Sequence, residues 1–257
     1  MSSDEFVNLE ASATPPDPRL GLGAGHLKVW SLLIISGLIA SSLAWFVGEK
    51  TLTFFEAPLS DVPSMGGGTV KLPTRDDQVI AESKNETIAF GTLGGLLGLF
   101  LGTAGGLVRG SIRLTIAAAL LGLLLGGAIG TGLSLGALQL YNEHRDENLP
   151  DLLPVILLHL AIFGGIGATA GLAFGVGTGA KGAWKTAMIG GLGGAIVGAI
   201  LADCGGALMF PNAKTNLPIS ETPLSRLFYR QVVAFAIFIG TGLAVADPRR
   251  PKSRIPR

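Results

Sequence analysis

Apolar residues run along the chain in six long blocks: Val29 to Val47, Ile88 to Val108, Leu114 to Leu140, Leu152 to Val176, Thr186 to Phe210 and Leu227 to Ala246. A helix needs roughly 20 apolar residues to cross a hydrocarbon core of about 30 Å, and each block supplies about that many. The predicted fold is all-α: a polytopic membrane bundle of six transmembrane helices. In the sixth block the uninterrupted apolar run covers only Val232 to Ala246. A comfortable crossing there places Arg230 and Gln231 at the interface, with Arg230 snorkelling outward.

The polar remainder divides around these spans. Residues 1–28 carry the string ATPPDP, whose adjacent prolines support neither helix nor sheet, and read as a disordered cytoplasmic segment. Residues 48–87 contain SMGGG, three prolines (Pro58, Pro63, Pro73) and many charges, and form the one sizeable extracytoplasmic loop. It is either a small strand-poor cap or a mobile loop, with Thr69 to Leu72 its only strand-like run. Ser83 and Glu86 have capping-box spacing ahead of the second span. Asp151 is placed to cap the fourth, with Pro154 tolerated in the first turn. Residues 88–246 make a five-helix glycine-rich bundle, and residues 247–257 a basic cytoplasmic tail.

Composition narrows the class further. Charged residues are 14% of the chain, against about 25% in a soluble domain, and the mean hydropathy is +0.54. The chain therefore lacks the polar surface for water and is too apolar for disorder. Cys204 is the only cysteine, which excludes a disulfide scaffold. A net charge of +1 gives no basis for nucleic-acid binding.

Short-loop charge sets the expected orientation. Arg109 and Arg113, Lys181 and Lys185, and the basic tail share one side, whereas the segment Tyr141 to Asp151 has Arg145 against Glu143, Asp146, Glu147 and Asp151. Both termini are thus expected in the cytoplasm, in a bacterial plasma membrane. Trp30, Trp45, Tyr141, Trp184 and Tyr229 fall at span ends, where aromatic residues favour the interface. Ser42-Leu43-Ala44 resembles a signal cleavage site, but the preceding head is long and slightly acidic, so a retained anchor is the expectation.

Glycine spacing is the strongest motif. Gly94, Gly98, Gly102, Gly106 and Gly110 recur every four residues in the second span, Gly122, Gly126 and Gly130 in the third, Gly167, Gly171, Gly175 and Gly179 in the fourth, and Gly190, Gly194 and Gly198 in the fifth, continued by Ala202 and Gly206. Lipid is as apolar as leucine, so hydrophobicity does not drive helices together there. Stripes without side chains let backbones approach and gain van der Waals contact. Helix packing is the expected role, and a narrow glycine-lined passage is the alternative.

Gly177, Gly179 and Gly182 also satisfy GxGxxG, but they end a membrane span where a nucleotide motif needs a strand and a following helix. No nucleotide or other cofactor is expected. Shifting the chain by 72 residues lays Arg109-Gly110-Ser111-Ile112-Arg113 on Lys181-Gly182-Ala183-Trp184-Lys185, and Gly122 and Gly126 on Gly194 and Gly198. A parallel hairpin repeat and a shared need for basic, glycine-containing turns account for this equally.

Of the 18 Asp and Glu and 19 Lys and Arg residues, only Asp203 lies well inside a span, and of three histidines only His159 does. Each sits seven residues from the outer end of its span, about 10 Å deep at the helical rise. The spans are antiparallel and joined by a short turn, so these two side chains share a level and form a candidate buried polar pair. A charge there costs a few kcal/mol on insertion scales, which a partner would offset. Cys204 lies beside Asp203 but about 100° away around the helix, and reads as a small packing residue. Glu143, His144, Asp146, Glu147 and Asp151 supply donors for a divalent cation, yet an acidic solvated loop accounts for them, and no metal site or catalytic residue is expected. Asn85-Glu86-Thr87 matches a glycosylation acceptor but nearly touches the second span.

The function expected from these features is non-enzymatic: a scaffold or partner subunit in the lipid bilayer, acting as a homo-oligomer or with a membrane protein partner. The alternatives are a channel or transporter using the His159–Asp203 level, and then a membrane-embedded enzyme.

Overall fold

A computed structural model describes residues 18–63, 67–144, 152–215 and 217–246. It contains six helices, α1 (Pro18–Thr51), α2 (Arg75–Arg109), α3 (Ile112–His144), α4 (Leu152–Thr178), α5 (Ala183–Met209) and α6 (Pro223–Ala246), with strands β1 (Leu59–Pro63) and β2 (Thr69–Pro73) between α1 and α2. All six helices are long and apolar enough to cross a membrane. The chain is an all-α multi-pass membrane protein.

The helix starts differ from the hydropathy boundaries for local reasons. Helix α1 begins at Pro18, inside the stretch read as linker, because a proline in the first turn has no helical N–H bond to lose; residues 1–17 lie outside the described residues. Helix α2 begins at Arg75, well ahead of the apolar block. Thr74 is extended (φ −68°, ψ 157°) and its hydroxyl accepts from the Asp77 N–H at 3.2 Å, while Asp76 and Asp77 complement the helix dipole. Ser83 and Glu86 therefore lie within α2 and cap nothing; Ser83 Oγ instead accepts from the Asn142 amide on α3 at 3.0 Å. Asp151 is outside the described residues.

The segment between α1 and α2 holds an antiparallel hairpin, with Leu59 opposite Pro73 and Pro63 opposite Thr69. Strand β1 escaped the hydropathy reading because Pro58 precedes it, Pro63 ends it, and Ser60 and Asp61 break its apolar run. Asn85 then ties the end of α1 to α2: its side chain accepts from the Phe55 N–H at 2.8 Å and donates to the carbonyls of Leu52 and Phe55 at 2.9 and 3.0 Å. This asparagine is buried and carries a structural task.

Helices α1, α2, α4, α5 and α6 close a ring through successive contacts, and α3 packs outside it against α2 and α4. Leu93, Leu97 and Leu101 from α2, Ile162, Ile166 and Phe174 from α4, and Val233, Ile237 and Phe238 from α6 make the core. One end of the bundle, the turn end, carries the tight connections 110–111 and 179–182; Gly110, Gly179 and Gly182 hold left-handed φ values of 75°, 61° and 77° there. The opposite, loop end carries the hairpin and residues 211–215 and 217–222.

Backbones meet directly along the glycines. A Cβ at Gly98 would strike the Gly122 carbonyl and one at Gly122 the Gly98 carbonyl; Gly94 and Gly126 repeat this reciprocal contact one turn away. Gly102 faces the Ala118 backbone, Gly106 faces Thr115, and Gly130 would place a Cβ 2.7 Å from the Phe90 carbonyl oxygen. Between α4 and α5, Gly167 and Gly191 are reciprocal, Gly171 faces Ala187 and Gly175 faces the Trp184 backbone. Helix α5 carries two small-residue faces: Ala187, Gly191 and Ala195 look toward α4, whereas Gly190, Gly194 and Gly198 meet Gly240, Ala236 and Val233 of α6.

The contacts of the two hairpins correspond at an offset of 69 residues (98 to 167, 122 to 191, 102 to 171, 118 to 187). Matching the basic turns at 72 laid Gly110, a helix C-cap, on Gly182, a helix N-cap. The offset is the same on both sides of the turn, so the longer turn after α4 is absorbed by a later start of α5.

Candidate functional site

His159 and Asp203 enter the ring from α4 and α5 at the loop end, with relative exposures of 2% and 0%. His159 Nδ1 is 2.7 Å from Asp203 Oδ1, and Nε2 is 2.9 Å from the carbonyl oxygen of Pro218. A backbone carbonyl only accepts, so Nε2 carries a hydrogen. At 2.7 Å a second proton must lie between Nδ1 and Oδ1, because a bare nitrogen lone pair would otherwise face a carboxylate oxygen. The Nδ1–Oδ1 contact thus holds one shared proton, in addition to the hydrogen on Nε2. Phe163 stacks on the imidazole at 5.1 Å and 25°, and Tyr229 and Phe90 flank it at 5.8 and 6.4 Å. Asp203 Oδ2 is buried without a hydrogen-bond partner among the described residues.

Residues 211–215 and 217–222 form the stopper over this level. The Glu221 N–H donates to the Ala213 carbonyl at 3.0 Å, and the Leu217 N–H donates to the Lys214 carbonyl at 3.1 Å. An ion pair of Lys214 with Glu221 at 2.7 Å closes the base. Pro218 is thereby presented to His159. Arg226 locks the stopper in place: its guanidinium makes two bonds to Glu49 of α1, at 2.7 and 2.5 Å, and donates to the carbonyls of Ser220 and Glu221 at 2.9 and 2.8 Å. The fork geometry satisfies a carboxylate and two carbonyls at once, which a lysine would not do.

Arg230 departs from the snorkelling expectation. It is 7% exposed and donates to the Ala44 carbonyl of α1, beside Gly48, where any Cβ would overlap the guanidinium. The reason is the facing helix: α1 offers a carbonyl and a gap, so the side chain turns into the bundle. Gln231 likewise reaches α1, accepting from Ser41 Oγ at 2.8 Å and donating to Ser42 Oγ at 3.1 Å. Cys204 is also corrected: it is exposed on the outside of the bundle, because Asp203 points inward and the next residue is rotated about 100° away.

Two spaces adjoin the polar level. A cavity of about 30 Å³ is lined by Phe90, Leu93, His159, Tyr229 and Arg230 together with the stopper. A wider vestibule of about 240 Å³, with Glu82, Glu86 and Asn142 in its wall, shares residues 217–220 and Arg226 with the cavity. The stopper is therefore the partition between the two spaces. Among the described residues no three of His, Cys, Asp and Glu cluster for a metal. Of the acidic-loop donors, Glu143 bonds to Gln139 and His144 to the Leu140 carbonyl, while Asp146, Glu147 and Asp151 lie outside the described residues.

Sequence reasoning passed over Glu49, Pro218, Arg226 and Tyr229 as site residues. Arg226 and Arg230 did leave a signal, being four residues apart and so on one helix face. Pro218 left none, since it acts through a carbonyl that every residue possesses. No protein-family model, curated protein or solved structure matches this chain, so the chemistry of this level rests on its geometry.

Proposed function

We propose that this chain is a non-enzymatic scaffold or partner subunit of a membrane assembly, with both termini in the cytoplasm. The observation that carries the reading is the glycine contact set. From Gly94 to Gly106 on α2, and from Gly167 to Gly175 on α4, neighbouring backbones touch, leaving no room between those helices for a solute. Proteoliposomes of the purified protein should conduct protons and small ions no faster than empty vesicles; conduction above that level would replace this reading.

The partner surface is the outer face of α3. Gly132 and Gly136 lie there, and a Cβ at either would meet nothing in this chain, so their smallness serves no internal contact. Gly132→Leu should leave the melting temperature in detergent within about 2 °C of the wild type and reduce cross-linked dimer or co-purified partner. A large loss of melting temperature with unchanged association would contradict the assignment.

Orientation is open to direct measurement. Single cysteines at Ser111 and Lys181, in a Cys204→Ala background, should react with impermeant thiol reagents only from the cytoplasmic side, and one at Asp61 only from outside. The reverse pattern would invert the topology.

A second reading, a proton-coupled carrier, is favoured by one specific feature: the proton held between His159 and Asp203, directly beneath a stopper that borders the vestibule.

A further inference from the structure

We infer that the turn end of the bundle binds the headgroup of an anionic phospholipid across its two tight turns. The inference starts from where the charges lie. Lys28 of α1, Arg109 and Arg113 beside the 110–111 turn, and Lys181 and Lys185 around the 179–182 turn are all exposed at that end. Every described Asp and Glu, from Glu49 to Glu221, lies in the loop-end half instead. None of these cations forms an ion pair among the described residues.

The fold brings the two turns together. A Cβ at Gly179 would lie 3.0 Å from Leu114 Cδ1 and 3.5 Å from the Arg109 guanidinium carbon, and Arg109 Nη1 donates to the Thr178 carbonyl at 3.3 Å. The guanidinium at the end of α2 thus stands against the turn that carries Lys181. One bond to a carbonyl uses one of its five N–H donors and leaves its charge without a counter-ion.

The rest of the surface selects a lipid over a soluble anion. Beside and below the cations, Leu107, Ile112, Ile116 and Ile189 are 42%, 70%, 54% and 65% exposed, a wall for acyl chains to cover. Trp184 is 40% exposed, and Lys185 Nζ lies 5.3 Å from the centroid of its indole. The ammonium is thereby held beside a ring of the kind that favours the membrane interface. A row of cations over an apolar wall matches a phosphate over its acyl chains. Net charge then decides the lipid class, since a zwitterionic head brings a cation of its own and an anionic head does not.

Native mass spectrometry tests this on the full chain, stripped of lipid in detergent and incubated with equal amounts of phosphatidylglycerol and phosphatidylcholine of matched chains. The wild type should retain phosphatidylglycerol at least about fivefold over phosphatidylcholine. Arg109→Gln combined with Lys181→Gln should bring that ratio below about twofold, while Lys71→Gln, in the hairpin at the loop end, should keep it. Should loss of the Arg109 bond to Thr178 disturb the fold, Arg113→Gln combined with Lys185→Gln leaves that bond in place and should also at least halve the ratio. Equal retention of the two lipids by the wild type overturns the proposal, because the basic turns would then serve orientation during insertion alone. So does an unchanged ratio in both double variants. Displacement of phosphatidylglycerol by an equimolar amount of glycerol 3-phosphate would assign the cations to a soluble anion and overturn the lipid assignment.

Discussion

Gly98→Leu is expected to lower the melting temperature of the purified protein by roughly 10 °C, corresponding to about 3 kcal/mol. The mutual contact of Gly98 and Gly122 brings the carbonyl of each within reach of the other's Cα, so even the first added carbon meets backbone. Backbone does not rotate away as a side-chain tip does; α2 and α3 must separate along their length. Gly94, Gly102 and Gly126 sit on the same seam, which means that separation at Gly98 also loosens contacts a full turn above and below. Leu124→Ala is the matched control. Leu124 is 69% exposed on the outside of α3, and its truncation should shift the melt by about 2 °C or less. Equal shifts for the two variants would remove the case that glycine smallness holds these helices together.

Asp203→Leu should cost about 3 kcal/mol, and Asp203→Asn less than about 1. Leucine leaves His159 Nδ1 facing hydrocarbon while Nε2 stays bound to the Pro218 carbonyl. Asparagine keeps a partner, because its amide N–H donates to Nδ1 of a neutral imidazole whose Nε2–H still reaches Pro218. A thermal melt therefore separates leucine from asparagine if the contact is structural. Proton flux in reconstituted vesicles separates the scaffold from the carrier. A scaffold shows no flux in wild type or in Asp203→Asn, whereas a carrier shows flux in the wild type that Asp203→Asn abolishes, since the exchangeable proton is gone while the hydrogen bond remains. A stable Asp203→Leu would sink the structural argument, because it would mean that the imidazole finds another partner at no cost.

The stopper links these two results to the vestibule. Arg226 bonds to α1 through Glu49 and to the stopper through two carbonyls, so any movement that exposes His159 must break or carry that guanidinium. The Pro218 carbonyl is also the group that obliges Nε2 to carry its hydrogen. Lifting the stopper would thus free the imidazole to change tautomer and release its constraint on the proton shared with Asp203. The stopper and the imidazole are joined by a single contact of 2.9 Å.

The number of spans was legible in hydropathy because lipid admits few polar groups along some 20 residues, a constraint that each helix obeys on its own. The common depth of His159 and Asp203 was legible for a similar reason: helical rise and chain direction convert residue number into height. Azimuth is different. Whether Arg230 looked outward or toward Ala44, whether Cys204 faced a neighbour or the outside, and that α5 has one glycine face for α4 and another for α6 all depend on where neighbouring helices stand. A periodic pattern states that a stripe exists and not which helix covers it. The cap at Thr74 and strand β1 were hidden by local polarity, since hydropathy is silent wherever the chain leaves the bilayer. Least legible was the Pro218 carbonyl on His159. Backbone acceptors are identical at every position, so only the folded path that brings Pro218 over His159 could select that one.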